Sequence, residues 1–311
     1  MARISIISAV ALFCLLNARA PDPRVRAAIE ASRHIHQIQD GLDGSFYCPM
    51  DPDVRSIRPG MCSRCGMTLV EGVPDIVEYP LDLTMEPPVP RATALTRLTF
   101  GAIDPRTRGP VRRFEIVHEK LYHVFVVSQD LSFFLHAHPE RQPDEDFHLD
   151  VRFPRPGMYR VLSDFYPSGS TPQLITNTVI VPGPGYSPDT ASIHADMAPK
   201  QTENSRVELE VVPERVVARQ RVSLVFQVTP DRGLEPYLGA WGHMLAASSD
   251  LIDMVHYHPL SAVDARGNSN KQLNFDIAFA RAGVQRVWMQ FQRLGIVNTV
   301  AFNVPVDEPG Q

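Results

Sequence analysis

The sequence contains little cysteine, one extended apolar run and no cluster of basic residues. It has 4 cysteines in 311 residues, and none follows Cys65. This distribution excludes a disulfide framework for most of the chain. The formal net charge is −5, and we expect no nucleic-acid partner because nucleic-acid binding requires a clustered basic face.

The apolar run lies at the N-terminus, where it predicts a secretory signal. It extends from Ile4 to Leu16 and is followed by Ala18-Arg19-Ala20, a small-x-small cleavage pattern. The run is too short to span a bilayer. We assign residues 1–20 to a signal peptide and residues 21–45 to a short helical or linker segment. The mature protein is then expected to be periplasmic or secreted, without a further membrane span.

Motifs of several enzyme classes are also missing. The sequence has no Gly-x-Ser-x-Gly elbow, phosphate-binding loop or dinucleotide fingerprint. A blue-copper electron carrier would need a cysteine beside its histidines, and no cysteine accompanies the histidine-rich stretches. We therefore expect a protein that is not an enzyme.

The distribution of apolar residues predicts a mainly β protein. The chain has 28 prolines against 18 glycines, and short β-branched and aromatic runs alternate with turn signals from residue 95 onward. This pattern is typical of antiparallel sandwiches. We predict two tandem immunoglobulin-like β-sandwich domains behind a small cysteine-rich module. The predicted boundaries are 46–72 for the module, 73–92 for a proline-rich linker, 93–183 for the first sandwich, 184–205 for a second linker and 206–307 for the second sandwich.

The two β regions are internal copies, and each carries the spacing His-x12-His-x-His-Pro. The repeated histidines are His123, His136 and His138 in the first copy and His243, His256 and His258 in the second. Other segments also match, for example Phe153-Pro-Arg-Pro-Gly157 and Phe279-Ala-Arg-Ala-Gly283. Self-similarity of this kind indicates a duplicated unit.

A shared Ser-x-Asp-Leu turn lies between the histidines of each copy. A tight hairpin centred on Gln129–Asp130 would place His123 directly across from His136, with His138 on the same face. Three imidazoles at such cross-strand separations can hold one transition-metal ion. Copper stands highest in the affinity series for such ligands, and zinc or nickel is the alternative. The competing interpretation is that each histidine is a hydrogen-bonded residue at the end of a buried strand.

The cysteine segment carries a second set of metal ligands. It reads Tyr-Cys48-Pro-Met50-Asp51-Pro and then Pro-Gly-Met-Cys62-Ser-Arg-Cys65-Gly-Met67. Cys-x2-Cys closes one corner of a metal site, and Cys48 can return to the other side. Methionine thioethers are soft donors. We predict Cys48, Met50, Asp51, Cys62, Cys65 and Met67 as ligands.

These motifs resemble the small heavy-metal-binding domain of periplasmic adaptors of copper and silver efflux pumps and of some copper-transporting ATPases. The resemblance covers under a tenth of the chain. It implies a metal site in which Asp51 replaces the histidine of that family, and a carboxylate is a harder ligand that favours zinc over Cu(I). The alternative is a zinc knuckle that only stabilises a small module.

Together these features predict an exported heavy-metal-binding protein, with copper as the first choice and zinc as the second. Its role would be sequestration, delivery or sensing, and its partners would be metal efflux or delivery proteins. The alternative is an exported adhesion or scaffold protein whose sandwiches bind a protein partner and whose zinc is purely structural. The number of bound ions separates these two hypotheses.

Overall fold

The computed structural model describes residues 46–48, 54–62, 68–72, 77–117, 119–186, 192–259 and 272–310. The predicted signal peptide and the segment 21–45 lie outside these ranges. The described residues form strands, turns and loops. In this part of the chain no helix has the length and apolar character needed to cross a membrane.

The cysteine-rich module contains a small antiparallel sheet in the order β2-β1-β3. Its strands are β1 (Phe46–Tyr47), β2 (Arg55–Ser56) and β3 (Val70–Glu71). Tyr47, Cys48, Cys62 and Leu69 of the module are buried.

The first sandwich contains two antiparallel four-stranded sheets. Its strands are β4 (Leu81–Glu86), β5 (Leu95–Ala102), β6 (Tyr122–Ser128), β7 (Phe134–Ala137), β8 (Glu140–Arg141), β9 (Phe147–Arg152), β10 (Gly157–Phe165) and β11 (Gln173–Val181). The sheet orders are β4-β5-β9-β8 and β11-β10-β6-β7. Both sheets contribute to one apolar core, for example Phe100 from the first and Tyr122 and Phe165 from the second.

The second sandwich repeats this plan. Its strands are β12 (Lys200–Gln201), β13 (Arg206–Val212), β14 (Val222–Thr229), β15 (Leu234–Glu235), β16 (His243–Ser248), β17 (Met254–Tyr257), β18 (Gln272–Ile277), β19 (Gly283–Arg293) and β20 (Ile296–Val306). One sheet has the order β12-β13-β14-β18. The other has the order β20-β19-β16-β17. The short strand β15 also pairs with β19. Phe226, Phe275 and Phe302 join the two sheets in one core.

The strand orders show the duplication directly. The path β11-β10-β6-β7 corresponds to β20-β19-β16-β17, and β4-β5-β9 corresponds to β13-β14-β18. The predicted fold class, two tandem sandwiches behind a cysteine-rich module, is confirmed.

Strand β6 is buried along its whole length, and so is β16. Alternate residues of a strand face opposite sides of its sheet. Tyr122, Val124 and Val126 of β6 therefore belong to the sandwich core. Phe125 and Val127 face the other way, into a different cluster. Both faces of this sheet are thus covered, as is usual for strands that read as continuous apolar runs.

The covering element is the equivalent sheet of the second sandwich. An inter-sandwich cluster joins side chains from both sheets: Phe125, Val127, Leu131, Leu162, Leu245, Ala247, Leu251, Met254 and Trp288. Phe134 stacks on Trp288 with ring centroids 5.0 Å apart. The two sandwiches therefore pack sheet against sheet, with their repeated strands in contact.

Candidate metal centre

The first histidine cluster is built on the β6–β7 hairpin, but in a different register from the one predicted. Val124 pairs with Ala137 and Phe125 pairs with His136. The prediction that His123 lies directly across from His136 is therefore wrong. Continuing the observed register places His123 across from His138 and diagonal to His136. The shift is two residues, which keeps all three imidazoles on one face.

The geometry of the turn explains the shift. Ser128 and Phe133 close the loop through backbone hydrogen bonding, and the Phe133 amide also donates to the Ser128 hydroxyl at 2.9 Å. Asp130 accepts from the Ser128 hydroxyl. Leu131 has a φ of 57°, a left-handed conformation that lengthens the loop beyond a two-residue turn. The loop is thus centred one residue later than predicted.

The second copy uses the same turn. The Asp253 amide donates to the Ser248 hydroxyl at 3.0 Å, and Leu251 has a φ of 55°. Met244 pairs with Tyr257 and Leu245 with His256, which is the register of the first copy moved by 120 positions. The repeated leucine of the turn is buried in the inter-sandwich cluster in both copies.

The three imidazoles of the first cluster converge on one point. His123 Nδ1 lies 3.1 Å from His138 Nε2 and 3.4 Å from His136 Nε2. His123 Nε2–H donates to the Val117 carbonyl at 3.0 Å, and His136 Nδ1–H donates to Gln290 Oε1 at 2.8 Å. These bonds fix the tautomers of both rings, so that the nitrogens facing each other carry lone pairs.

The second cluster repeats this arrangement. His243 Nε2–H donates to the Tyr237 carbonyl at 2.9 Å, and His256 Nδ1–H donates to Asp164 Oδ2 at 2.8 Å. In each cluster one ligand nitrogen of every histidine lies within 4.8 Å of the others. Each set can therefore hold a metal ion through three imidazoles.

Two residues that orient these rings were not anticipated from the sequence. Asp164 lies on β10 opposite His123, and Gln290 lies on β19 opposite His243. Each reaches across to a histidine of the other sandwich, Asp164 to His256 and Gln290 to His136. Both positions immediately precede the repeated phenylalanines Phe165 and Phe291. This equivalence in the two copies was the signal from which the sequence could have identified them.

The two clusters face each other between the sandwiches. Ring centroids are 5.4 Å apart for His123 and His256 and 5.5 Å apart for His136 and His243. Phe125 stacks on His136 at 4.2 Å and meets His256 edge-on at 4.7 Å, so an aromatic ring separates the imidazoles from the rest of the inter-sandwich cluster.

Burial favours the neutral form of five of these six imidazoles. Desolvation lowers the pKa of His243 to about 4 and that of His138 to about 3. Desolvation also lowers the pKa of His123. For His136 and His256, desolvation and the neighbouring imidazoles together hold the pKa well below its ordinary value. Neutral imidazole is the form that binds metal, so protons compete weakly for this site.

Asp164 is buried beside the rings. Desolvation raises its pKa to about 6, although the nearby His123 lowers it. The carboxylate is therefore ionised at neutral pH and supplies a negative charge next to His256. A metal-bound imidazole that donates to a carboxylate is a stronger ligand than one that donates to a neutral group.

The predicted thiol site is only partly described. Cys48 and Cys62 are buried close together in one apolar cluster with Leu69, Val117 and Tyr166. The other predicted ligands, Met50, Asp51, Cys65 and Met67, lie outside the described residues.

The module is attached to the first sandwich by hydrogen bonds as well as by apolar contacts. The hydroxyl groups of Tyr47 and Tyr166 lie 2.7 Å apart, and Tyr47 also donates to the Ser170 carbonyl at 2.8 Å. Val117 belongs to the cluster that contains the two cysteines, and its carbonyl accepts from His123. One residue thus contacts both predicted metal sites.

Comparison with known protein families assigns both parts of the chain. Residues 46–71 match the model of the heavy metal binding domain, which confirms the resemblance of the cysteine segment. Residues 77–182 and 200–308 each match the model of a domain of unknown function, DUF8832. One match covers each sandwich.

The search of curated proteins gave no match. Among solved structures, the chain is similar to the Escherichia coli adhesin FdeC, with 11% identity, a TM-score of 0.25 and coverage of 78% of this chain and 68% of that one. The Yersinia pseudotuberculosis adhesin InvE matches with 11% identity, a TM-score of 0.24 and coverage of 73% of this chain and 60% of that one. The chicken CNTN1 FN1-FN3 domains match with 10% identity, a TM-score of 0.20 and coverage of 76% and 71%.

The two sandwich matches together cover more than half of the sequence, and they follow a heavy metal binding domain. The chain therefore belongs to the DUF8832 family and contains two copies of its domain.

Proposed function

We propose that this protein is an exported copper-binding protein that takes up ions through its cysteine module and its six-histidine centre. The observation that carries the proposal is the convergence of three ring nitrogens in each histidine cluster, where hydrogen bonds to carbonyl or carboxylate oxygens fix the tautomers of two of the three rings. Histidines that merely end strands would not need lone pairs aimed at one point. The heavy metal binding domain supports the same conclusion from an independent part of the chain.

The chemistry of the ligands favours copper. Neutral imidazole binds the divalent first-row ions, and copper is highest in their affinity series. Thiolates and thioethers prefer Cu(I), so the cysteine module can accept copper in its reduced state. Zinc is the alternative ion, since three imidazoles with an open position also suit it.

The position of the module favours transfer of ions between the two sites. Val117 packs against the cluster that contains Cys48 and Cys62 and holds His123 through its carbonyl. An ion released from the thiols would therefore begin close to the histidine centre. We propose capture by the module followed by storage or delivery, with metal efflux or delivery proteins as partners.

We propose binding rather than catalysis as the role of the centre. The Asp130 carboxylate, in the turn of the first hairpin, is engaged with Ser128, Ser132 and Arg155. Asp164 is occupied by its hydrogen bond to His256. Export is proposed from the N-terminal sequence, which lies outside the described residues.

Metal stoichiometry tests the proposed function. Purified protein is stripped with a chelator, titrated with Cu(I) or Cu(II), desalted and analysed for copper by elemental analysis. We expect two ions at the histidine centre in addition to those of the module. His136→Ala and His256→Ala should each lower the count, whereas His194→Ala should leave it unchanged because His194 is exposed and lies outside the centre.

Equal copper content in a folded double variant and in the original protein would contradict the proposal. Uptake of a single ion held by the cysteines would favour the scaffold alternative.

A further inference from the structure

We infer that the two histidine clusters form one dinuclear centre, in which two ions share a bridging small anion between the sandwiches. This inference rests on the proposed function, because it concerns how the ions are held rather than whether they bind. It begins with spacing. Ring centroids within a cluster are 4.2 to 5.7 Å apart, and the rings of His123 and His136 lie 5.4 to 6.3 Å from those of His243 and His256. Where these four rings face each other, the gap between the clusters is thus hardly larger than the gaps within them.

Hydrogen bonds that cross the interface tie the two halves together. Gln290 of the second sandwich orients His136 of the first, and Asp164 of the first orients His256 of the second. Both bonds measure 2.8 Å and occupy equivalent positions in the two copies. Each sandwich therefore supplies the residue that orients one histidine of the other, and neither cluster is fully oriented without its partner.

The apolar contacts enforce this pairing. Leu131 and Leu251, from the turns of the two hairpins, are buried in the inter-sandwich cluster next to Phe125 and Trp288. A packed interface of this kind holds the hairpins at a fixed separation, because close-packed side chains leave little freedom to slide. The histidines at its edge are accordingly held face to face.

The charge of two divalent ions is the reason to expect a bridging anion. The ligand nitrogens are neutral, and the Asp164 carboxylate compensates only part of the charge of two divalent ions. Three imidazoles per ion leave coordination positions open, and in two-metal sites the ions lie about 3.5–4 Å apart. A small anion such as hydroxide, placed between the ions, fills an open position on both and lowers the net charge. Chloride or azide offers the same chemistry.

Electron paramagnetic resonance of the Cu(II)-titrated full-length protein tests the inference. We expect an ordinary mononuclear spectrum at low copper content. As the centre fills, we expect either a half-field signal or a loss of integrated spin relative to bound Cu(II). Copper oxidation state is counted with a Cu(I)-specific chelator, so that reduction by the thiols is not mistaken for coupling. Azide should change the coupled spectrum.

Two single-ligand variants and a control complete the test. His136→Ala and His256→Ala should each abolish the coupling while retaining a mononuclear signal from the intact cluster. His194→Ala should behave as the original protein, because His194 lies outside the centre. Two mononuclear signals that add up to all the bound Cu(II), with no half-field signal, would overturn the dinuclear inference and leave the binding function intact. Absence of copper from the histidines would overturn both.

Discussion

Asp164 and Gln290 are equivalent residues that give the two halves of the centre different electrostatics. Asp164 accepts from His256 with a carboxylate oxygen, and Gln290 accepts from His136 with an amide oxygen, both at 2.8 Å. The carboxylate makes the imidazole a stronger donor. The second cluster is thus expected to bind the first ion, and the cluster on the first sandwich the next.

Asp164→Asn should remove this difference. The amide can still accept from His256, but without the charge we expect the tighter copper affinity to fall by roughly 10-fold to 100-fold, the usual cost of losing such a partner. Competition with a chelator of known affinity measures the change. Gln290→Glu is the matched variant and should tighten the weaker site. Unchanged affinities in both variants would exclude a role for these residues in ligand strength.

At the residue scale, the members of the histidine clusters were predictable from the sequence, whereas the residues that orient them were not. The repeated spacing identified His123, His136 and His138 and their counterparts as candidates. The bond between His256 and Asp164 joins residues 92 positions apart, and no periodicity within one strand indicates such a contact. The thiol ligands were predicted from a motif, but only Cys48 and Cys62 fall within the described residues.

At the scale of elements, the turn between the paired strands serves two purposes. It fixes the register of the hairpin through Ser128 and Asp130, and it inserts Leu131 into the inter-sandwich cluster. The sequence indicated a tight hairpin because Ser-x-Asp-Leu lies midway between the histidines. The side-chain hydrogen bonds extend the loop, so the observed register differs from the predicted one by two residues. Because the shift is an even number, the histidine side chains still lie on the predicted face of the sheet.

Leu131→Ala tests the second purpose of the turn. Leu131 is 2% exposed, and removing a buried leucine side chain costs about 2–5 kcal/mol of unfolding free energy. Ile252→Ala is the control, because Ile252 lies in the equivalent turn and is 66% exposed, so its loss should cost under about 0.5 kcal/mol. Urea denaturation measures both. Similar costs for the two variants would argue against a packed interface between the sandwiches.

The module is fixed to the first sandwich by a different contact. Tyr166→Phe removes the hydrogen bond to Tyr47 and should cost about 0.5–1.5 kcal/mol. We also expect the buried Cys48 to react faster with a thiol reagent, measured by mass spectrometry of the labelled site. Tyr186→Phe, on an exposed tyrosine, provides the baseline. If Cys48 reacts at the same rate in both variants, this bond does not hold the module in place.

At the scale of the whole molecule, the predicted architecture held but the contact between the sandwiches was not foreseen. Two copies with linkers were deduced from the repeats, and their relative position was left open. The physical signal was the burial of both faces of β6 and β16. The run Tyr122–Ser128 alternates core and interface residues, but both sets are mostly apolar, and a sequence alone does not reveal what covers the second face.

The six-histidine centre also sets the pH dependence of the metal-free protein. Burial lowers the pKa of His123, His136, His138, His243 and His256. In the unfolded chain these groups titrate near their ordinary value of about 6.5. Below that pH the unfolded state binds more protons, so the unfolding free energy should fall as pH decreases from 7.5 to 5.5. The slope approaches about 1.4 kcal/mol per pH unit for each histidine.

Asp164 acts in the opposite direction over part of this range. Its pKa is raised to about 6, so the folded state takes up a proton there before the unfolded state does and gains stability as pH falls. One such carboxylate only partly offsets several histidines. Urea midpoints of chelator-treated protein at pH 7.5, 6.5 and 5.5 check the net effect, and His136→Ala should reduce the slope. A flat profile would mean that the imidazoles are hydrated and not packed between the sandwiches.

The most direct test of the central claim is an anomalous difference map, recorded at the copper edge, from crystals of copper-loaded protein. The account predicts two peaks between the sandwiches, one bounded by His123, His136 and His138 and the other by His243, His256 and His258. Asp164 and Gln290 should remain bonded to the ligands of the opposite sandwich. Peaks confined to the cysteine module, with the space between the six imidazoles lacking anomalous density, would contradict it.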